Sequence, residues 1–321
     1  MSYAITDFER SGQLEVVKKS VSPGSPEAIL DPLRGWNWVD VVAPTDIRVP
    51  FNAISYKYCP TRRDLYLAFR KAERRDTFAS VAGRVFDKSI KLPMASLKEI
   101  LLGKDSGSVD PIPYADSVEA MVASSLHERD KYSEYLAEDE KSELETHVRK
   151  IVRSETSSWF SRLNFWLSHT PSLTREKLAR TVIPMELDHP MEVEYMGYSG
   201  QLTPDFFIPG RNAMGEFKTG EKNYANRVAV AGYALAYEVL YRESIDVGFV
   251  LYYQPDKRKV PMYELDVFGI TNDLRRANIG HRNDGLKLVQ QDTPPPLAPE
   301  EICKNCVYYY ECWPEREPQN T

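Results

Sequence analysis

Four cysteines, Cys59, Cys303, Cys306 and Cys312, are the only thiols in this chain of 321 residues. One lies near the start, and three stand together near the other end as Cys303-x-x-Cys306-x5-Cys312. A close trio with a distant fourth cysteine reads as one shared metal centre rather than four separate buried thiols. Both zinc and an iron–sulfur cluster accept four thiolates. Zinc more often uses two paired knuckles, so a lone ligand plus a clustered trio favours the cluster, with four cysteines around a 4Fe-4S cubane. Shared ligation has a strong topological consequence. The two ends of the chain must fold onto each other, and metal binding then contributes directly to folding.

Such a centre fits a reducing compartment, and the rest of the sequence agrees. No basic stretch followed by an apolar one opens the chain, so no signal peptide is expected. No apolar run approaches the roughly 18 residues of a membrane span. The expectation is a cytoplasmic protein without membrane association, where cysteine groups hold metals more often than they pair as disulfides. Apolar content of 42% and charged content of 27% are those of an ordinary globular protein. A net charge of −6 excludes nucleic-acid binding by bulk charge. It leaves room for a local basic run: Lys57, Arg62, Arg63, Arg70, Lys71, Arg74 and Arg75 are opposed only by Asp64 and Glu73. Arg62 and Arg63 follow Cys59 closely and would set a phosphate backbone beside the cysteine centre.

Periodicity divides the chain. Residues 1–50 are irregular, rich in Pro, Gly and Trp around Arg34-Gly35-Trp36, and read as an N-terminal extension. Residues 51–321 read as one catalytic domain. Leu65, Tyr66 and Phe69 repeat at helical spacing, and a second helical segment covers about 78–90. Asp110-Pro111-Ile112-Pro113 breaks the chain. A helical insertion follows over about 114–170, charged in its middle and aromatic at its end. The period then becomes two: 191–195, 202–208 and 214–219 read as strands, the last two joined by the turn Pro209-Gly210-Arg211-Asn212. A buried helix at 225–241, strands at 247–253 and 261–268 and a helix at 272–290 complete an α/β fold with a mixed sheet flanked by helices.

Chemistry concentrates on the 202–219 hairpin, in Thr203-Pro204-Asp205 and Gly215-Glu216-Phe217-Lys218-Thr219-Gly220. Side chains alternate along a strand, so Glu216 and Lys218 share one face while Phe217 enters the opposite layer. Asp205 reaches that first face across the hairpin. Two carboxylates this close make a hard-oxygen site for Mg²⁺ or Mn²⁺, and an adjacent lysine can orient a water or shield phosphoryl oxygens. These parts suit phosphodiester hydrolysis. Glu-x-Lys alone is a weak signal; its aspartate equivalent, Asp-x-Lys, recurs as Asp139-Glu140-Lys141 on a polar helix.

Together, the hairpin and the cysteines resemble a PD-(D/E)xK core of the RecB-like nucleases that carry an iron–sulfur cluster. Within these, the chain is similar to the longer archaeal branch of the CRISPR-associated Cas-four family. The similarity rests on Arg34-Gly35-Trp36, the run Tyr58-Cys59-Pro60-Thr61-Arg62-Arg63-Asp64-Leu65-Tyr66-Leu67, Gly83-x-x-x-Asp87, Pro204-Asp205, Glu216-Phe217-Lys218-Thr219-Gly220, Ala231-Gly232-Tyr233 and the final cysteines. The resemblance implies a metal-dependent nuclease acting on DNA single strands or overhanging ends. It further implies trimming of fragments for CRISPR integration, association with the CRISPR integrase complex, and room for a homo-oligomer. Asp205, Glu216 and Lys218 would be catalytic, and Asp87, Asp205 and Glu216 would ligate Mg²⁺ or Mn²⁺. Arg62, Arg63 and Tyr233 would meet DNA, although Tyr233 reads equally well as core. Asp87 stands where relatives place histidine, and Ala229 stands where many RecB-like enzymes have glutamine. His127 is a second histidine candidate on a polar helix. Two other readings are a DNA-recognition module with eroded catalysis and a repair nuclease outside CRISPR.

Overall fold

The computed structural model describes residues 12–25, 28–54, 58–103, 114, 116–255 and 261–316. The break expected at 110–113, Lys57 of the basic run and the first eleven residues of the N-terminal extension lie outside these.

Ten helices are named here in chain order: α1 (Gln13–Ser20), α2 (Arg63–Phe69), α3 (Phe78–Leu102), α4 (Val118–Asp130), α5 (Glu138–His169), α6 (Arg175–Val182), α7 (Tyr224–Tyr241), α8 (Asn272–Val289), α9 (Glu300–Cys303) and α10 (Tyr309–Cys312). The strands are β1 (Val49–Pro50), β2 (Glu186–Leu187), β3 (Tyr198–Ser199), β4 (Phe206–Ile208), β5 (Ala213–Thr219), β6 (Val247–Gln254) and β7 (Met262–Gly269). β1 and β3 form a small parallel pair, and the other five make a mixed sheet in the order β2-β4-β5-β6-β7. β4 and β5 are the expected hairpin, with Phe206 opposite Gly215. β5 and β6 run parallel, with Glu216 opposite Val250, and α7 makes the crossover between them.

Strand alternation divides the core into two layers. Phe206, Ala213, Phe217, Phe249 and Leu251 pack against α3, α4, α5 and α6. Phe207, Met214, Val250 and Tyr252 pack against α7 and α8. A near-continuous apolar strand such as β6 follows from this burial on both faces. α3 starts at a capping box in which Thr77 and Ser80 each accept the other's backbone N–H, and it buries Val81, Val85, Phe86, Ile90, Met94, Leu97 and Leu101 along one stripe. No helix among the described residues is long and apolar enough to cross a membrane.

Three expectations shift. The strand expected over 202–208 is confined to β4 at Phe206–Ile208, with Leu202 only in an isolated bridge. The long helical region is two helices, α4 and α5, separated by residues 131–137. Residues 191–195 form no strand: Met191 makes one isolated bridge to Leu202, and a short 3-10 turn at Glu194–Met196 leads into Gly197 at φ +80°. Five alternating residues cannot distinguish a strand from a turn that buries Val193 and Met196 three residues apart.

The Arg34-Gly35-Trp36 patch is fastened to the core by a buried acid. Glu238 of α7 accepts both guanidinium nitrogens of Arg275 at 2.7 and 2.8 Å, Arg34 Nη1 at 3.0 Å and the Gly35 amide at 2.8 Å. Gly35 is required there, because a Cβ would come within 2.6 Å of the Leu235 carbonyl.

Candidate active site

The hairpin carries its chemistry as strand geometry demands. Asp205 immediately precedes β4, and its Oδ2 accepts the Phe217 amide of β5 at 2.8 Å. That bond crosses the hairpin and fixes the carboxylate beside Glu216. Glu216 is only 3% exposed and pairs with the Lys218 ammonium. Burial disfavours the charge on Lys218, but Glu216 and Asp205 outweigh it and hold the ammonium above the usual lysine range. Tyr233, on α7, lies beside Glu216; burial, followed by that carboxylate, pushes its pKa well up, so it stays a neutral phenol. Phe217 enters the opposite layer, as the alternation requires.

A third element completes the site. Asp87 and Lys91 lie one turn apart on α3, and the Lys91 ammonium lies 2.9 Å from Asp87 Oδ1, 2.6 Å from Asp205 Oδ1 and 2.6 Å from Asp188 Oδ1. Burial, followed by the charge of Asp205, pushes Asp87 up to about 7. Lys91 is raised above the usual lysine range because the surrounding carboxylates outweigh its burial. Neither Lys91 nor Asp188 was singled out from the sequence. Lys91 left one signal, an Asp–Lys pair at i, i+4 facing a buried stripe. Asp188 left none. β2 pairs with β4 so that Leu187 lies opposite Phe206, and the next residue, with its amide 3.3 Å from the Asp205 carbonyl oxygen, falls beside Asp205.

Among the described residues no group of three or more His, Cys, Asp or Glu side chains stands ready to hold a metal ion. At the carboxylates the neighbours are ammonium groups, Lys91 beside Asp87, Asp188 and Asp205 and Lys218 beside Glu216. The donor set nevertheless fits a hard divalent cation, because oxygens of three aspartates converge on one positive charge.

The expected DNA contacts part company. Arg62, 4% exposed and at φ +59°, turns inward and donates to the carbonyls of Ile54 at 3.0 Å and His281 at 2.9 Å. Arg63 donates to the Pro295 carbonyl and lies beside Cys312. His127 is exposed on α4, and Ala229 packs half-buried on α7.

All four cysteines are free, and the chain ends do meet. Cys59 and Cys303 pack with Ala298, Tyr309 and Trp313. The Arg75 amide donates to the Val307 carbonyl at 2.9 Å, and the Glu73 amide to Glu311 Oε1 at 3.2 Å. Burial raises the thiols of Cys303, Cys306 and Cys312, that of Cys306 to about 11, and each has others of the four among its charged neighbours. Cys306 Sγ accepts the Tyr308 amide at 3.5 Å, and Arg63 favours the Cys312 thiolate. The cysteines lie close enough to influence one another, but among the described residues no three of them form a group that could hold a metal ion.

Residues 8–314 match a family profile described as CRISPR-associated exonuclease Csa1. A protein of that name from Saccharolobus solfataricus is 23% identical over 291 residues, covering 90% of this chain and 94% of the relative. One from Thermoproteus tenax is 22% identical over 299 residues, covering 89% and 92%.

Proposed function

This chain belongs to the CRISPR-associated exonuclease Csa1 family, and from that premise we propose that it hydrolyses phosphodiesters at DNA single strands or overhanging ends. In this reading the fold is a RecB-like nuclease core related to the Cas-four proteins. The protein works in the cytoplasm, trims fragments for integration during CRISPR adaptation and acts alongside the integrase complex. The observation that carries the reading is the convergence of Asp205, Glu216, Lys218 and Tyr233 on one strand pair, with Asp87 delivered from α3.

Each side chain has a role that its contacts support. The Phe217 amide aims Asp205 before substrate arrives, and Glu216 sits buried beside Lys218 and Tyr233. Lys218, kept protonated by Glu216 and Asp205, can orient an attacking water or shield a phosphoryl oxygen. Mg²⁺ or Mn²⁺ held by Asp87, Asp205 and Glu216 would supply Lewis-acid charge against the oxyanion that develops on phosphate. Phosphate contact falls to exposed cations such as Arg70 and Arg74, with Arg63 at the cysteine end. The four cysteines would hold an iron–sulfur cluster that clamps the chain ends and has no part in hydrolysis.

The test pairs Mn²⁺-dependent degradation of single-stranded DNA with iron and sulfide counts on anaerobically purified protein. Glu216→Ala should abolish degradation and keep the iron; a variant that cuts at the wild-type rate overturns the mechanism, and a colourless protein with one zinc overturns the cluster. Ammonium groups filling the carboxylate site favour one second reading, a DNA-recognition module that binds DNA and leaves it intact.

A further inference from the structure

We propose that Lys91 is an internal counterion that occupies the carboxylate site in the metal-free protein and is displaced by the incoming divalent cation, for which Asp188 is an additional ligand. The inference rests on the reading of this site as a metal-dependent nuclease and adds two residues to it.

Three observations carry it. First, one ammonium is shared among three carboxylates that come from three different elements: Asp87 on α3, Asp188 after β2 and Asp205 before β4. A lysine that merely tied α3 to the sheet would need one partner. Second, the Lys91 side chain is only 10% exposed, so its charge was taken out of water to reach this position. A desolvated ammonium is tolerated only when charged partners surround it, and the carboxylates in turn need a cation. Third, Asp188 sits at φ +51°, in the left-handed region that few side chains adopt. Such a backbone is costly and persists where the surroundings over-determine it. Here it places a half-exposed carboxylate (52%) on the solvent side of a cluster whose other members are more covered, where a hydrated cation would arrive.

The chemistry is exchange of one cation for another. A divalent ion entering among Asp87, Asp188 and Asp205 brings twice the charge of the ammonium to the same oxygens, and Lys91 must swing out. Four methylene groups give its stem the reach to do so while the helix stays in place. Metal uptake then becomes a competition, and Lys91 sets the cation concentration at which the site fills.

The test measures Mn²⁺ binding to the full-length protein by calorimetry, with Lys91→Met in place of the ammonium. Lys91→Met should bind Mn²⁺ at least tenfold more tightly than wild type, and adding Asp188→Asn to it should weaken binding again. Equal affinity in wild type and Lys91→Met overturns the counterion role and leaves the nuclease reading standing. No Mn²⁺ binding by either protein overturns both. Because Lys91→Met can disturb packing, the wild-type chain supplies a second measurement. Lys91 should resist acylation by an amine-reactive ester without metal and be labelled at least several-fold more with Mn²⁺, as read by peptide mass spectrometry. Labelling that does not change with Mn²⁺ overturns the displacement.

Discussion

The amide of Phe217 donates to Oδ2 of Asp205 at 2.8 Å, so the strand that bears Glu216 and Lys218 also aims the carboxylate they work with. Asn at position 205 keeps an oxygen for that amide and loses the charge. Asp205→Asn should therefore keep the hairpin contact and lower the melting temperature, because the buried Lys91 loses a carboxylate 2.6 Å away. Nuclease activity should fall by roughly a hundredfold or more, the scale of removing one preorganised electrostatic group. Activity within a fewfold of wild type would count against Asp205 as a catalytic group.

Tyr233 offers a gentler probe. Phe keeps the ring against Phe51, whose centroid lies 4.7 Å away, and removes only the hydroxyl beside Glu216. Tyr233→Phe should lower kcat by roughly tenfold and leave KM for DNA nearly unchanged, the pattern of a positioning residue. A change confined to KM would instead place Tyr233 against the substrate.

Glu238 tests stability away from the chemistry. It is fully buried and answers Arg275, Arg34 and the Gly35 amide at once. Glu238→Ala leaves the equally buried Arg275 without its acid, a loss of about 3–5 kcal/mol for a broken buried pair. Urea denaturation should show the midpoint falling accordingly, and limited proteolysis should cut first near residues 34–42.

Asp64 predicts a pH dependence. Burial pushes its carboxyl up to about 6 from an ordinary 3.8, against the opposing pull of the Leu65 amide and Arg62. The folded chain thus binds this proton more tightly than the unfolded chain does. Its stabilising contribution is complete below pH 3.8 and is lost as pH rises through 6. Asp64→Asn should flatten that part of the stability profile measured by thermal melting across the window. An identical slope in both proteins would show that Asp64 is not its source.

Local rules reached far into this molecule and stopped at identifiable places. Strand alternation gave the opposed faces of Glu216 and Phe217, and turn residues at 209–212 gave the hairpin, because both are properties of neighbouring residues. Asp188 stayed hidden because its place depends on a two-residue strand pairing with β4 and on a left-handed backbone. Lys91 stayed hidden because an i, i+4 acid–lysine pair on a helix ordinarily faces water. Arg62 misled for the opposite reason: within a basic run it looks like a phosphate contact, yet two carbonyls from distant segments draw it inward. The meeting of the chain ends was legible from the cysteine spacing, whereas a shared metal site is not found among the described residues.

That closure has a consequence for synthesis. The segment leading into α3 is held by residues near the far end, through Arg75 on Val307 and Glu73 on Glu311. α3 carries Asp87 and Lys91, so its first turn gains its last supports only after residue 311 has left the ribosome. A nascent chain that already displays Asp205, Glu216 and Lys218 can pack α3 into the core, but the entry to that helix is fastened only in chains translated that far.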